Sequence, residues 1–428
     1  MKIAVVGTGY VGLVTAAIFS KFGNQVTGID IDKKKIKGLK EGKVPFYEPR
    51  LKNLVEKGLG KNTLSFVASY KKGIPGRKVV FICVGTPAKE NGDYDLSYVF
   101  DSVKSVARNL DDYTVICIKS TVPPTTKEKI KKIVEKSTEI DFDLSSCPEF
   151  LKEGSAVEDA LHPHRVVIGV ESRRAEVLLL KLHQPIKAPR VICDIKSAQT
   201  IKYAANAFLA TKISFINSIA RICDKVGADI DKVSLGLGLD PRIGGKFLQA
   251  GLGYGGSCFP KDTWALIAFA KRLGYNFKFL KQVDEVNKQQ IDYFIDKIVK
   301  LCGGLVKNKT LTVLGLSFKP HTDDMREARS IPLIRRLKQK GVKIKAYDPQ
   351  AMENAKKILK GIHFCKNSYE ALKGSSALIL VTEWPEFKKI NFKKVADLMK
   401  EKIVVDGRNF LNAERLKKLG FVYRGIGR

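Results

Sequence analysis

No stretch of this 428-residue chain stays apolar long enough to cross a bilayer, so a membrane span is not expected. Its eight cysteines stand singly, at 83, 117, 147, 193, 223, 258, 302 and 365, with no CxxC spacing and no histidine-rich segment beside them. Neither a metal site nor a disulfide framework is therefore expected, and the thiols read as reduced ones of a cytoplasmic protein. Acids are scarce as well: 44 Asp and Glu face 76 Lys and Arg, a net charge of +32. That balance invites a polyanion-binding reading. The lysines, however, are dispersed in pieces such as "DKKKIK", "KIKKIVEK" and "RRLKQKGVKIK", which fit solvated helix faces. No specific nucleic-acid partner is expected, and a basic field would also draw an anionic substrate.

What is present begins at residue 1. The opening "MKIAVVGTGYVGLVTAAIFS" has the charge and the apolar run of a signal peptide, but Gly7, Gly9 and Gly12 point elsewhere. Residues 2–6 read as a buried strand, "GTGYVG" opens a helical run to about Ser20, and the strand "QVTGID" ends in Asp30. Strand, glycine turn, helix, strand, then acid is the context of a dinucleotide site. The glycines let backbone approach a pyrophosphate at the positive end of the helix. Asp30 is placed to accept hydrogen bonds from an adenosine ribose and would repel a ribose phosphate, which favours NAD over NADP.

Further strands are expected at "KVVFICVG" and "YTVICIKS", leading to Thr86 and Thr121. Both threonines are candidates to face the cofactor, with helix capping as the alternative. A strand through "FDLSSC" brings in Glu149 and Glu153, which share a face only if their segment is helical. Residues 197–226, free of proline and interior glycine, predict one long helix, apolar around most of its circumference and packed away from water, against a second subunit if one is present. Lys202 and Asn206 are one turn apart on it; from spacing alone Lys202 is either solvated or held by a partner. The glycine-dense segment 236–262, containing Arg242 and "FLQAGLGYGGSCFPKD", reads as a functional loop, followed by helix from 263 to about 300. Near 310 the opening pattern returns in "KTLTVLGLSFK", "SIPLIRRLKQKG" and "VKIKAYDP", without the glycine fingerprint. The expected fold is α/β: two Rossmann-like, doubly wound nucleotide-binding domains, 1–196 and 301–428, joined by a long central helix within a helical middle domain, 197–300.

A cysteine after two glycines, in a chain with an NAD domain, suggests a thiol that adds to an aldehyde and leaves as a thioester. A small core residue is the other reading of Cys258. The motifs "GTGYVG", "VGTP", "STVPP", "PEFLKEGSAVEDALHPHRVVIG", "IKYAANAFLATKISFINSIA", "GYGGSCFPKD" and "FKPHTDDMREA" occur in this order between residues 7 and 328. In them the chain closely resembles the UDP-glucose 6-dehydrogenases. The resemblance implies a homodimer that oxidises UDP-glucose to UDP-glucuronate with two NAD, through a thiohemiacetal and a thioester on Cys258. It implies that Lys202 and Asn206 steady oxyanionic intermediates, that Asp262 activates water, and that Thr121 and Glu149 hold catalytic waters. Cofactor contacts implied, besides Gly7, Gly9 and Gly12, are Val11, Asp30, Lys35, Thr86, Thr121, Glu153, Lys261 and Arg326. Sugar-nucleotide contacts implied are Glu149, Phe150, Leu151, Lys152, Glu153, Lys202 and Asn206, then Phe247, Leu248, Gln249, Ala250, Gly251, Gly255 and Lys319. Arg242 would reach the partner subunit's substrate. One departure from the family pattern is Arg329, which stands where proline is usual and leaves its local turn open.

Overall fold

The computed structural model describes residues 1–89 and 92–428, which form two compact units, Met1–Ala205 and Asn206–Arg428. Among the described residues no helix is long and apolar enough to cross a membrane.

The first unit is built on strands β1 (Lys2–Val6), β2 (Gln25–Ile29), β3 (Leu64–Val67), β4 (Val79–Ile82), β5 (Thr114–Ile118), β6 (Phe142–Ser146), β7 (Val166–Gly169) and β8 (Arg190–Cys193). They lie in the order β3-β2-β1-β4-β5-β6-β7-β8. The β6–β7 pair is antiparallel and every other neighbouring pair parallel. Strands such as "VVFI" and "TVICI" are buried along their whole length because helices cover both sheet faces. Ile3 and Val5 pack into one apolar cluster, with Leu13, Phe81 and Leu179; Ala4 and Val6 pack into another, with Ile82, Val103 and Ile130. The strand order reverses between β1 and β4, which opens a crevice at their carboxyl ends.

The second unit carries β9 (Thr310–Leu314), β10 (Lys343–Tyr347), β11 (His363–Phe364), β12 (Ala377–Leu380), β13 (Ile403–Asp406) and β14 (Val422–Arg424). All are parallel, in the order β11-β10-β9-β12-β13-β14. The doubly wound α/β fold expected from the sequence is thus present twice. Gly315 after β9 has φ +86° and Gly7 after β1 has φ +88°, so both sheets turn out of their first strand alike. In the second sheet, however, Asp348 is consumed by its own turn: Oδ2 accepts Leu316 N–H at 2.7 Å, Ser317 N–H at 3.0 Å and Trp384 Nε1–H at 3.1 Å. The next helix begins only at Ser330, so no helix N-terminus follows the turn directly.

Helices account for most of residues 195–301. The helix Ile195–Val226 runs 32 residues, as the absence of glycine and proline predicts. It is less enclosed than expected: Phe208, Phe215 and Ile222, seven residues apart, are each at least half exposed in the single chain. The glycine-dense loop is also shorter than expected. Helix Ile230–Leu239 takes its beginning, with the Asp229 carboxylate accepting Asp231 N–H. Gly238 in that helix serves a close approach rather than a turn, since a Cβ there would lie 2.7 Å from Gly245 Cα. Helix Phe259–Arg272 takes the loop's end, with Cys258 as its cap and Pro260 in its first turn, where the missing N–H is not needed. A break at 273–277, with Gly274 at φ +79°, separates it from helix Lys278–Leu301.

Candidate active site

The turn after β1 presents its backbone to open space. A Cβ on Gly12 would lie 1.8 Å from Gly7 O, so helix Tyr10–Lys21 packs directly on the turn, whereas a Cβ on Gly9 would meet nothing within 4 Å. No side chain caps this helix and no acid occupies its first turn, which leaves its positive end facing outward next to Val11. Asp30 Oδ2 accepts Thr8 N–H at 2.9 Å, the Thr8 hydroxyl at 2.9 Å and Lys35 Nζ–H at 2.9 Å; Oδ1 accepts Asp32 N–H at 3.1 Å. Burial pushes this carboxyl up, and the Lys35 hydrogen bond with the Thr8 and Asp32 donors outweighs it, leaving Asp30 below its ordinary 3.8. Thr86 is buried beyond β4 and Thr121 half-buried beyond β5. Neither caps a helix, because the helices that follow begin after Leu96 and Thr125. An open glycine turn, an uncapped helix end and an ionised acid at the neighbouring strand fit a dinucleotide with a free ribose hydroxyl pair.

Asp30→Asn tests this. NAD affinity should fall roughly ten-fold, read by calorimetry, since a charged acceptor is lost. Because the folded carboxyl titrates below its unfolded value, Asp30 contributes stability above the unfolded value that is lost as pH falls through the folded one. The asparagine variant should therefore lose less stability than the parent between neutral pH and about pH 3 in denaturant unfolding.

Beyond β6 the chain from Cys147 to Ser155 is not helical, so the four-residue spacing of Glu149 and Glu153 does not put them on a helix face. Glu149 Oε1 accepts Lys202 Nζ–H at 2.9 Å, with both side chains less than a tenth exposed. Glu149 Oε2 accepts Leu151 N–H at 2.5 Å. The Phe150 ring lies 3.7 Å from the Arg165 guanidinium and 5.5 Å from Lys202 Nζ. Lys152 is tied through N–H and Nζ to Asp159, and Glu153 is buried. Lys202 is thus a partnered, buried lysine and not a solvated one.

In the second unit Cys258, half-buried, caps helix Phe259–Arg272, and its carbonyl accepts Asp262 N–H at 2.9 Å. Asp262 is buried; its Oδ2 accepts Asn206 Nδ2–H at 2.6 Å, and its Oδ1 accepts Lys261 Nζ–H. Cys258, Lys261 and Asp262 therefore belong to one helix start, not to a loop. The positive end of that helix stabilises negative charge at its cap. The segment Phe247–Gly251 is rigidly held: Phe247 has φ +66°, Leu248 and Ala250 are buried, Gln249 is exposed, and Gly251 N–H donates to Asn217 Oδ1 at 2.8 Å. Gly255 has to be glycine, since a Cβ would lie 2.2 Å from Glu327 O. Arg242 and Arg326 each fold back on an acid two residues earlier, Asp240 and Asp324, with their side chains largely exposed. Lys319 Nζ lies 5.4 Å from the Phe318 ring.

Three family models cover this chain in sequence: the NAD binding domain of the UDP-glucose/GDP-mannose dehydrogenase family on residues 1–187, its central domain on 196–289 and its UDP binding domain on 312–413. A UDP-glucose 6-dehydrogenase of Bacillus subtilis, TuaD, is 46% identical over 430 residues, covering 100% of this chain and 93% of that protein. The chain belongs to the UDP-glucose/GDP-mannose dehydrogenase family. The UDP-glucose 6-dehydrogenase of Rhizobium meliloti is 41% identical over 435 residues, with 100% of both chains covered. A solved UDP-glucose dehydrogenase from Pyrobaculum islandicum superposes with a TM-score of 0.93 at 36% identity, covering 100% of this chain and 97% of that one. A UDP-D-ManNAc dehydrogenase from Pyrococcus horikoshii reaches 0.88 at 28% identity, covering 100% and 99%.

As a member of this family the chain is an NAD-dependent dehydrogenase, in agreement with the open turn and Asp30. Three contributions lay beyond the sequence reading. Arg329 is half-buried in the second unit and donates through Nε to Leu252 O at 2.9 Å and through an η nitrogen to Asn287 O at 2.7 Å; desolvation lowers its guanidinium to about 10. These two bonds tie the turn at 329 to Leu252 and Asn287. Asn287 holds Tyr254 through two hydrogen bonds of 2.7 and 3.1 Å. Glu48, buried and accepting from the backbone of Gly154 and Ala156, is the third. One trio of metal-capable donors, His363, Cys365 and Glu370, has its ligand atoms within 4.8 Å of one another at the β11 edge. Glu370 Oε2 already accepts Lys366 N–H at 2.8 Å, which accounts for its position without an ion.

Proposed function

We propose that this dehydrogenase oxidises the C6 alcohol of UDP-glucose to the carboxylate, giving UDP-glucuronate and reducing two NAD per sugar. The observation that carries the chemistry is Cys258 at a helix N-terminus, one turn before the buried Asp262 that is bound to Asn206. The choice of sugar is supported by full-length relatives that bear this activity in their names. Residues 1–196 would hold NAD, 301–428 the UDP moiety, and 197–300 the nucleophile.

In this reading bound NAD supplies the two-electron acceptor for both oxidations. Water held by Thr121 and Glu149 takes the hydroxyl proton from C6. Cys258 Sγ then adds to the aldehyde carbon, and the carbonyl oxygen becomes an oxyanion, for which Lys202 and Asn206 would supply the donors. After the second oxidation the carbon is a thioester; water oriented by Asp262 attacks it, the C–S bond breaks, and the carboxylate leaves with Cys258 restored. Phe150, Leu151, Lys152, Gly255 and Lys319, with the segment Phe247–Gly251, would bind the sugar nucleotide. The exposed apolar row of Phe208, Phe215 and Ile222 supports a homodimer through the long helix. Arg242, exposed and next to Ile243, whose carbonyl accepts Lys212 Nζ–H from the long helix at 3.0 Å, would serve the partner subunit's substrate.

The deciding experiment is stoichiometric. Excess NAD with a limiting amount of UDP-glucose should give two reduced nicotinamides per sugar by absorbance. One equivalent would mean a reaction that stops at the aldehyde, against the thioester scheme. None, with turnover of UDP-N-acetylmannosamine or GDP-mannose instead, would move the substrate assignment to a sister enzyme. Absence of turnover on all three, with salt-sensitive nucleic-acid binding, would return the polyanion reading.

A further inference from the structure

We propose that Glu48 is a positioning residue that locks the segment 149–157 onto the dinucleotide turn, keeping the sugar-side and cofactor-side groups in register. Glu48 is 5% exposed, and its carboxylate joins two parts of the first unit. Oε2 accepts Gly154 N–H at 2.6 Å and the Tyr10 hydroxyl; Oε1 accepts Ala156 N–H at 2.8 Å and Val157 N–H at 3.4 Å. Tyr10 directly follows Gly9 and opens the helix on which the turn is built, and its oxygen also accepts Gly154 N–H at 2.9 Å. The Phe46 ring, two residues before Glu48, packs against Tyr10 at 4.8 Å between centroids, tilted by 34°.

The short helix Ala156–Leu161 has no side-chain cap from Ser155, and Glu48 takes its first N–H groups instead. The segment is thereby fastened at both ends: Glu149 to Lys202 at one, Gly154 to Glu48 at the other. Phe150 to Glu153 lie between these anchors. Any slip at Gly154 displaces them relative to Gly7–Gly12, and a displacement of about an ångström is costly where reacting groups have to meet.

The inference rests on NAD as cofactor and, for the sugar, on the function proposed above. Its test compares Glu48→Gln, Glu48→Asp and Tyr10→Phe by calorimetric NAD binding, by kcat and KM, and by thermal melting. Glu48→Gln puts a donor against backbone donors and should weaken NAD binding and raise the sugar KM roughly ten- to a hundred-fold, with a much smaller change in kcat. Glu48→Asp should recover part of that loss. Tyr10→Phe leaves the backbone donors of Glu48 in place and should raise the NAD dissociation constant several-fold at unchanged melting temperature. Parental NAD affinity in both Glu48→Gln and Tyr10→Phe overturns the proposal, as does a loss confined to melting temperature. Should Glu48→Gln fail to fold, Tyr10→Phe decides alone. A parent enzyme that binds NAD but leaves UDP-glucose untouched would sink the functional reading, while the NAD-binding arm still judges Glu48.

Discussion

Replacing Cys258 with serine will end steady turnover, by roughly 10⁴-fold or more, while leaving the melting temperature where it was. Serine is nearly isosteric and is itself a favoured helix N-cap, so helix Phe259–Arg272 loses nothing by the exchange. The chemistry loses a great deal. A hydroxyl is barely ionised where a thiol is partly so, and an ester is a poorer acyl donor to water than a thioester. Any residual reaction should be a slow first oxidation without the second, visible as fewer reduced nicotinamides per sugar. Near-parental turnover in this variant would falsify covalent catalysis at residue 258 and leave the cysteine as packing.

The second large effect is expected at Lys202. Lys202→Met leaves Glu149 as a buried carboxylate without its 2.9 Å partner, which should cost about 3–5 kcal/mol of stability in denaturant unfolding. It should also lower kcat about 10²- to 10³-fold through the lost oxyanion donor. These two losses are separable. Adding Glu149→Gln removes the stranded charge, so the double variant should regain most of the stability and none of the kcat. A double variant that recovers both would make Lys202 a structural partner of Glu149 and nothing more.

Legibility in the sequence followed the range of the interactions involved. The dinucleotide turn could be read because Gly7, Gly9, Gly12 and Asp30 act within one strand–helix–strand unit, and the geometry there agrees. The long helix could be read because nothing in it breaks a helix. The orientation of Lys202 could not, since the group that settles it, Glu149, lies 53 residues earlier. Glycine density misled at 236–239 because Gly238 makes room for Gly245 instead of making a turn. Glu48 gave no signal: between Tyr47 and Pro49 an acid has no periodicity, and its backbone partners lie more than a hundred residues on. Strands β11 and β14, two and three residues long, are too short to carry a pattern.

The parallel sheets have a further consequence, for how the protein is made. β1 leaves the ribosome before both of its neighbours yet belongs inside its sheet, between β2 and β4. Its second edge therefore stays bare until β4 has been synthesised, and β9 waits in the same way for β12. Pairing across such crossovers is slow, and half-built sheets with open edges are the species that stick to one another. The charge of +32 bears on that interval, since nascent chains that repel one another gain time to close their own edges.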